Sequence, residues 1–182
     1  MKKITIIYLA AVALMTACKK QEIDSFHGAQ NLYFDIGFAG YTDSVLYTFA
    51  KFPGRSKDTV FIPVRVAGNR NSDKDRSYSV KIIDSGTTAL QNIHFEKLKD
   101  QYLFSAGKGV QYLPVILYNT DTLLLNRTFS LRLEIMPGED FNADITKLII
   151  TRLVFSAKLE KPYWWNMWLG SYYSQVKHQL FR

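Results

Sequence analysis

The sequence predicts an all-β protein, an immunoglobulin-like antiparallel β-sandwich carrying a short aromatic C-terminal tail with helical spacing. Three observations lead there. Apolar and polar residues alternate with a period of two along most of the chain, turns rich in Gly, Pro, Asn and Ser interrupt that alternation at short intervals, and no amphipathic helix intervenes between the strands.

The clearest strand is Phe129-Ser130-Leu131-Arg132-Leu133-Glu134-Ile135, whose odd positions are apolar and even positions polar. One face is built for a core and one for water. The same alternation sets Val60, Ile62, Val64 and Val66 against Phe61, Pro63 and Arg65, and Tyr78, Val80 and Ile82 against Ser77, Ser79 and Lys81. These read as half-buried antiparallel strands. Weaker segments at 31–36, 44–52, 101–105, 111–119 and 147–157 bring the number of strands to eight. Pro53-Gly54, Gly68-Asn69, Ser85-Gly86, Gly107-Lys108-Gly109 and Pro137-Gly138 supply the turns between them. Pro63 and Pro114 cannot donate to a ladder, which predicts a sheet edge or bulge for both. The sandwich is assigned to residues 27–160.

The amino terminus has a different character. Lys2 and Lys3 form a basic start, residues 4–14 an apolar run, and Met15-Thr16-Ala17-Cys18 a small-residue exit. That is the layout of a secretory signal, residues 1–17, and the uncharged run is too short for the roughly 20 apolar residues that span a bilayer. The exit resembles the lipobox read by bacterial lipoprotein signal peptidase, with methionine where leucine is usual. The resemblance implies cleavage before Cys18 and acylation of its sulfur. Cys18 is the one cysteine in the chain, so no intrachain disulfide can form. Two or three acyl chains on it would anchor the protein stably to a membrane. Residues 18–26 are then the lipidated cysteine and a polar, flexible tether. Lysine in place of aspartate behind the cysteine argues against inner-membrane retention, and the charged residues there resemble the surface-export signal of Bacteroidota lipoproteins. The expected location is the outer membrane, lipid-anchored and facing the cell surface.

Removing Lys2 and Lys3 leaves about 21 basic against 16 acidic residues, a net charge of about +5. The two signs alternate, as in Lys57-Asp58, Asp73-Lys74-Asp75-Arg76 and Glu96-Lys97, which argues against a nucleic-acid partner.

At Lys161-Pro162 the alternation stops, and Tyr163-Trp164-Trp165-Asn166-Met167-Trp168 follows with all three tryptophans of the chain. Read as a helix, residues 161–182 put Trp164, Trp168 and Tyr172 on one face, with Trp165, Leu169 and Tyr173 beside it. Two roles stay open for this segment packing on the sandwich. The indoles of Trp164, Trp165 and Trp168 either plug an open end of the core or form a stacking platform for a ligand.

Several short motifs occur in a fixed order: Asn31-Leu32-Tyr33-Phe34, Val60-Phe61-Ile62-Pro63-Val64-Arg65-Val66-Ala67-Gly68, Asp75-Arg76, Ile93-His94-Phe95, Asp140-Phe141, and Lys161-Pro162 before Trp164-Trp165. With the lipobox they resemble a family of Bacteroidota lipoproteins known only as a domain of unknown function. The resemblance implies an exported β-sandwich lipoprotein encoded near glycan-import machinery, without catalytic residues to transfer. Thr88-Ala89, Ile93-His94-Phe95 and Tyr102-Leu103-Phe104-Ser105-Ala106-Gly107 are more faintly similar to the Calx-β module, in which the position taken here by His94 is commonly a calcium-binding aspartate.

Candidates for chemistry are few. With Cys18 acylated, the nucleophiles left are hydroxyls and the bases His27, His94 and His178, none in a Gly-x-Ser-x-Gly, His-Glu-x-x-His or Gly-rich phosphate motif. His94 reads as a loop residue with a local hydrogen bond, and His178 as a surface residue of the tail. Glu134 reads as a solvated cross-strand charge on the wet side of a regular strand rather than a glycosidase acid. Asp73, Asp75, Glu139 and Asp140 lie in loops without calcium-loop spacing. No catalytic residue, metal or cofactor is expected. The leading expectation is a non-catalytic accessory or binding module for a glycan or an outer-membrane protein. The alternative is a structural envelope scaffold with no small-molecule ligand. Replacing Cys18→Ala is expected to abolish incorporation of labelled palmitate and to release the protein from the membrane fraction, as read by metabolic labelling and detergent partitioning.

Overall fold

The computed structural model describes residues 30–37, 44–52, 54–68 and 73–181. The signal sequence, Cys18, the tether and His27 lie outside the described residues. The strands are β1 (Asn31–Phe34), β2 (Ser44–Thr48), β3 (Lys57–Ala67), β4 (Arg76–Ile82), β5 (Tyr102–Phe104), β6 (Val110–Tyr118), β7 (Phe129–Met136) and β8 (Ile150–Ser156), followed by short helices α1 (Trp165–Leu169) and α2 (Gln175–Leu180). They form two sheets of order β1-β3-β6 and β2-β8-β7-β4-β5.

Each predicted strand is present, because the period-two pattern gives every one an apolar face to bury. Val60, Ile62, Val64 and Val66 of β3, with Leu113, Val115 and Leu117 of β6, meet Leu131, Leu133 and Ile135 of β7 and Leu153 and Phe155 of β8 in one core. Burial of each such side chain is worth about 1.5–3 kcal/mol. The segment predicted as a strand over 44–52 is shorter than its pattern. The Thr48 hydroxyl accepts from Ala50 N (3.1 Å) and turns the chain into a single 3-10 turn, Phe49–Lys51, that drives Phe49 into the core.

Two expectations are corrected. The sandwich is not wholly antiparallel, since β2 pairs with β8 in parallel from Ser44↔Arg152 to Thr48↔Ser156. The chain between them builds five other strands, so no hairpin ties their directions together. Pro63 lies in the centre strand of its sheet and not at an edge. Its carbonyl accepts from Asp35 N (3.0 Å), but it has no N–H to return, so the ladder with β1 stops at Phe34. Pro114 does sit on an edge strand, as expected. Glu96 N donates to Ile116 O (3.0 Å) and Tyr118 N to His94 O (2.8 Å), so even-numbered residues of β6 turn their backbone groups away from β3. The missing donor of Pro114 therefore falls on the outer side.

Leu113 and Tyr112 of β6 face opposite ways, one fully buried and one largely exposed. Leu113→Ala is expected to cost about 2–5 kcal/mol in urea unfolding. Tyr112→Ala should change stability by no more than about 0.5 kcal/mol.

Candidate functional site

The two outer faces of the sandwich differ in chemistry. On the five-stranded sheet the outward residues of the central strands are mostly polar, with Ser130, Arg132 and Glu134 of β7 beside Ser79 and Lys81 of β4, while Leu46 of β2 and Leu103 of β5 are exposed on its edge strands. Lys81 and Glu134 are register partners bonded at 2.9 Å, which gives the outward charge of Glu134 a cross-strand partner. On the three-stranded sheet the same parity that buries Val60, Ile62 and Val64 turns Phe61 and Pro63 outward. Phe61 lies opposite Pro114, and Pro63 opposite Tyr112. Phe61 is 61 % exposed and Tyr112 58 %, and Tyr33 and Ile116 continue the strip. Ion pairs bracket it at both ends. Arg65 holds Asp35 at 2.6 Å, and Lys57 holds Glu96 at 3.0 Å with the Tyr118 hydroxyl donating to the same carboxylate. These two donors keep Glu96 below the ordinary carboxylate range. A continuous apolar face with charged ends is what ligand and partner surfaces look like.

A second concavity, of about 870 Å³, opens beside β2 and β8, where Leu46, Val154 and Phe155 face residues 158–162 and His178. Deeper in, the Tyr47 hydroxyl donates to Asp58 (2.5 Å), which Arg55 also contacts at 2.6 Å. The Tyr47 hydroxyl bond and the guanidinium hold Asp58 low, while burial first and then Asp58 push Tyr47 up. Tyr47 thus stays protonated and serves as a strut.

The tail does not present three indoles. Gly170, at φ 78 and ψ 177, ends α1 in a conformation that only glycine adopts freely. Trp164, Trp168 and Tyr172 therefore do not share a helical face. Trp165 is fully buried and so is removed from the ligand platform; Trp164 is half-buried, and Trp168 is 75 % exposed. Nor does Trp165 plug the sandwich, since it lies outside the core cluster. Its ring packs edge-on against Tyr173 (4.9 Å) and His178 (5.2 Å), and its Nε1 donates to Tyr172 O (3.2 Å). The Tyr173 hydroxyl ties this small cage to the sandwich by donating to Leu159 O (2.6 Å). His178, expected at the surface, is half-buried within the cage with Nδ1 3.2 Å from the Tyr173 hydroxyl.

The other sequence candidates have structural partners. His94 is buried and makes its local bond by accepting at Nδ1 from Leu90 N (2.9 Å). It also makes a long-range one, from Nε2 to Asp121 at 2.8 Å. A backbone N–H can only donate, so Nδ1 is unprotonated and Nε2 carries the proton toward the carboxylate. Both nitrogens are engaged, and the ring stacks on Phe129 at 4.0 Å, so no free nitrogen faces a substrate. The backbone bond from Leu123, then His94, hold Asp121 low. Two further motifs meet at one end of the sandwich. The buried guanidinium of Arg76 lies 4.3 Å over the Phe141 ring and 5.7 Å over Phe104, while Asp140 accepts from Ser77 N (2.8 Å) and Asp75 from Ala106 N (2.8 Å). Burial pulls Arg76 down and the Asp140 charge pushes it back up. This cluster pins the loops around β4, and among the described residues no three His, Cys, Asp or Glu side chains converge as metal ligands do. The apolar sheet face was missed as a site because its residues look like ordinary strand positions; a Phe and a Tyr at non-core parity were the signal.

Trp165→Ala is expected to destabilise the C-terminal cage by about 3–5 kcal/mol, seen as faster proteolysis within residues 158–174 and red-shifted emission. Trp168→Ala should leave proteolysis unchanged and, by removing the exposed indole, shift the emission to the blue.

Among known proteins, the chain matches the model of the family described as Domain of unknown function (DUF4843) over residues 26–182. No curated protein matches the sequence. Its fold is similar to the apo form of the Calx CBD1 domain, with TM-score 0.49 and 13% identity over 73% of this chain and 100% of that one. It is also similar to a candidate carbohydrate binding protein of Bacteroides ovatus ATCC 8483 (TM-score 0.50, 12% identity, 71% of this chain and 38% of that one). A Bacteroides ovatus protein of unknown function is a further neighbour (TM-score 0.44, 17% identity, 69% and 43%). The chain thus spans less than half the length of either Bacteroides ovatus protein, and at these identities the likeness is one of fold alone. The family match takes in every sequence motif from Asn31 to the tail tryptophans, and the chain belongs to the family Domain of unknown function (DUF4843).

Proposed function

We propose that this protein is a non-catalytic accessory module, anchored through lipid on Cys18 at the outer membrane and facing the cell surface, that holds a glycan along the outer face of the β1-β3-β6 sheet. The observation that carries the reading is a pair of exposed aromatic rings, Phe61 and Tyr112, set among Tyr33, Pro63 and Pro114 on the outer face of the smaller sheet. Flat exposed rings offer stacking surfaces to the apolar faces of sugars. Phe61 and Tyr112 are diagonal neighbours across the β3–β6 pair, a spacing of about 7–8 Å that lets one saccharide chain reach both. The likeness in fold to a candidate carbohydrate binding protein is consistent with this. Pro63, Pro114 and Ile116 on the same face favour a second reading, in which the strip packs against another envelope protein and the module is a scaffold.

Affinity electrophoresis of the full-length chain in detergent against a panel of polysaccharides tests the reading. Phe61→Ala and Tyr112→Ala should each weaken retardation by about tenfold, the equivalent of about 1.4 kcal/mol, with unfolding curves unchanged. Retardation by none of the polysaccharides, together with a photo-crosslinker at position 61 capturing an outer-membrane protein, would favour the scaffold.

A further inference from the structure

The groove beside β2 is a surface distinct from the sheet face, and its lining has a definite charge. Leu46, Val154 and Leu159 make it apolar, while Lys51, Lys158 and Lys161 stand against a single acid, Glu160. The cations are not equivalent. Lys161 donates to Ser171 O (3.1 Å), whereas Lys51 and Lys158 make no ion pair or hydrogen bond among the described residues. Lys158 is half-buried. A groove with this excess of cations over acids favours an anionic ligand by charge complementarity. The same lining contributes the hydroxyls of Thr48, Thr128 and Ser156 and the ring of Phe52, which is 39 % exposed and has the Arg55 guanidinium 4.3 Å over one of its faces. At about 870 Å³ the groove lies at the upper end of the roughly 300–1,000 Å³ typical of small-ligand sites.

We propose that this groove binds a carboxylate-bearing saccharide, an oligomer of uronic acid, with Lys51 and Lys158 taking carboxylates, the hydroxyls meeting sugar hydroxyls, and the Phe52 ring lying against a pyranose face. Charge complementarity selects the anion, and the hydroxyl and ring groups select a sugar over an acidic peptide, which would use the lysines alone. The groove and the sheet face fail separately, because Phe61 and Tyr112 lie on the opposite sheet from β2 and β8.

Calorimetric titration of the full-length chain in detergent with tetragalacturonate, its methyl ester, oligomers of guluronate and glucuronate, and tetraglutamate tests the proposal. At least one uronate oligomer is expected to bind, with affinity falling as salt rises. If tetragalacturonate is the one that binds, its methyl ester should bind at least tenfold more weakly. The double variant Lys51→Gln/Lys158→Gln should lose at least tenfold in affinity, Lys158→Arg should retain it, and Phe61→Ala should leave it unchanged. Binding by none of the uronates, equal binding of acid and ester, or undiminished binding by the double variant would overturn it. Tetraglutamate binding as tightly as the best uronate would also overturn it and reassign the groove to an acidic peptide.

Discussion

Parity along β3 is the constraint from which the rest of the structure follows. The strand runs for eleven residues through the middle of the smaller sheet, and its even positions Val60, Ile62, Val64 and Val66 supply one wall of the core. A slip of one residue would put Phe61, Pro63 and Arg65 inside and send the four aliphatic residues to solvent, which is why the register is strongly specified. Once it is set, β6 inherits it through nine paired positions. The outer face of the sheet then receives Phe61, Pro63, Tyr112 and Pro114 by default. The apolar outer strip and the core are the two sides of a single alternation.

Proline marks where this sheet ends. Pro63 accepts a bond from Asp35 but cannot return it, so β1 stops at Phe34, and the carboxylate of Asp35 pairs with Arg65 just beyond the ladder. Pro114 leaves a gap in the outer edge of β6, next to the stretch that residues 94–96 cover. A proline at an open edge discourages another strand from adding there, which leaves the flat face, and not the edge, as the accessible feature of this sheet.

The short motifs of the sequence serve the fold. Asp75-Arg76 and Asp140-Phe141 are far apart in the chain but meet through a guanidinium stacked on an aromatic ring and a carboxylate bonded to Ser77. Arginine suits such a place because its planar, weakly hydrated head is removed from water at less cost than an ammonium and stacks flat on ring faces. Ile93-His94-Phe95 likewise joins two loops, His94 bridging Leu90 and Asp121 while Phe95 is buried in the core. An Asp–His pair is easily taken for catalytic machinery. Here the second nitrogen is occupied by a backbone amide, and the pair acts as a staple.

The local alternation of apolar and polar residues determined the strands, their inward and outward faces and the all-β class, because a strand's burial pattern is written two residues at a time. Turn composition likewise located most of the connections. The pairing direction of β2, the central place of Pro63 and the fate of the tryptophans depended on which segments met. Trp165 disappears into a cage closed by Tyr173 and His178, residues beyond a glycine that breaks the helix its spacing suggested. The apolar face and the cationic groove are properties of residues drawn from distant segments: Phe61 with Tyr112 across paired strands, and Lys51 with Lys158 along one groove. Each of these residues is unremarkable in its own segment, and only the pairing of β3 with β6 and the placement of residues 158–162 beside β2 bring them together.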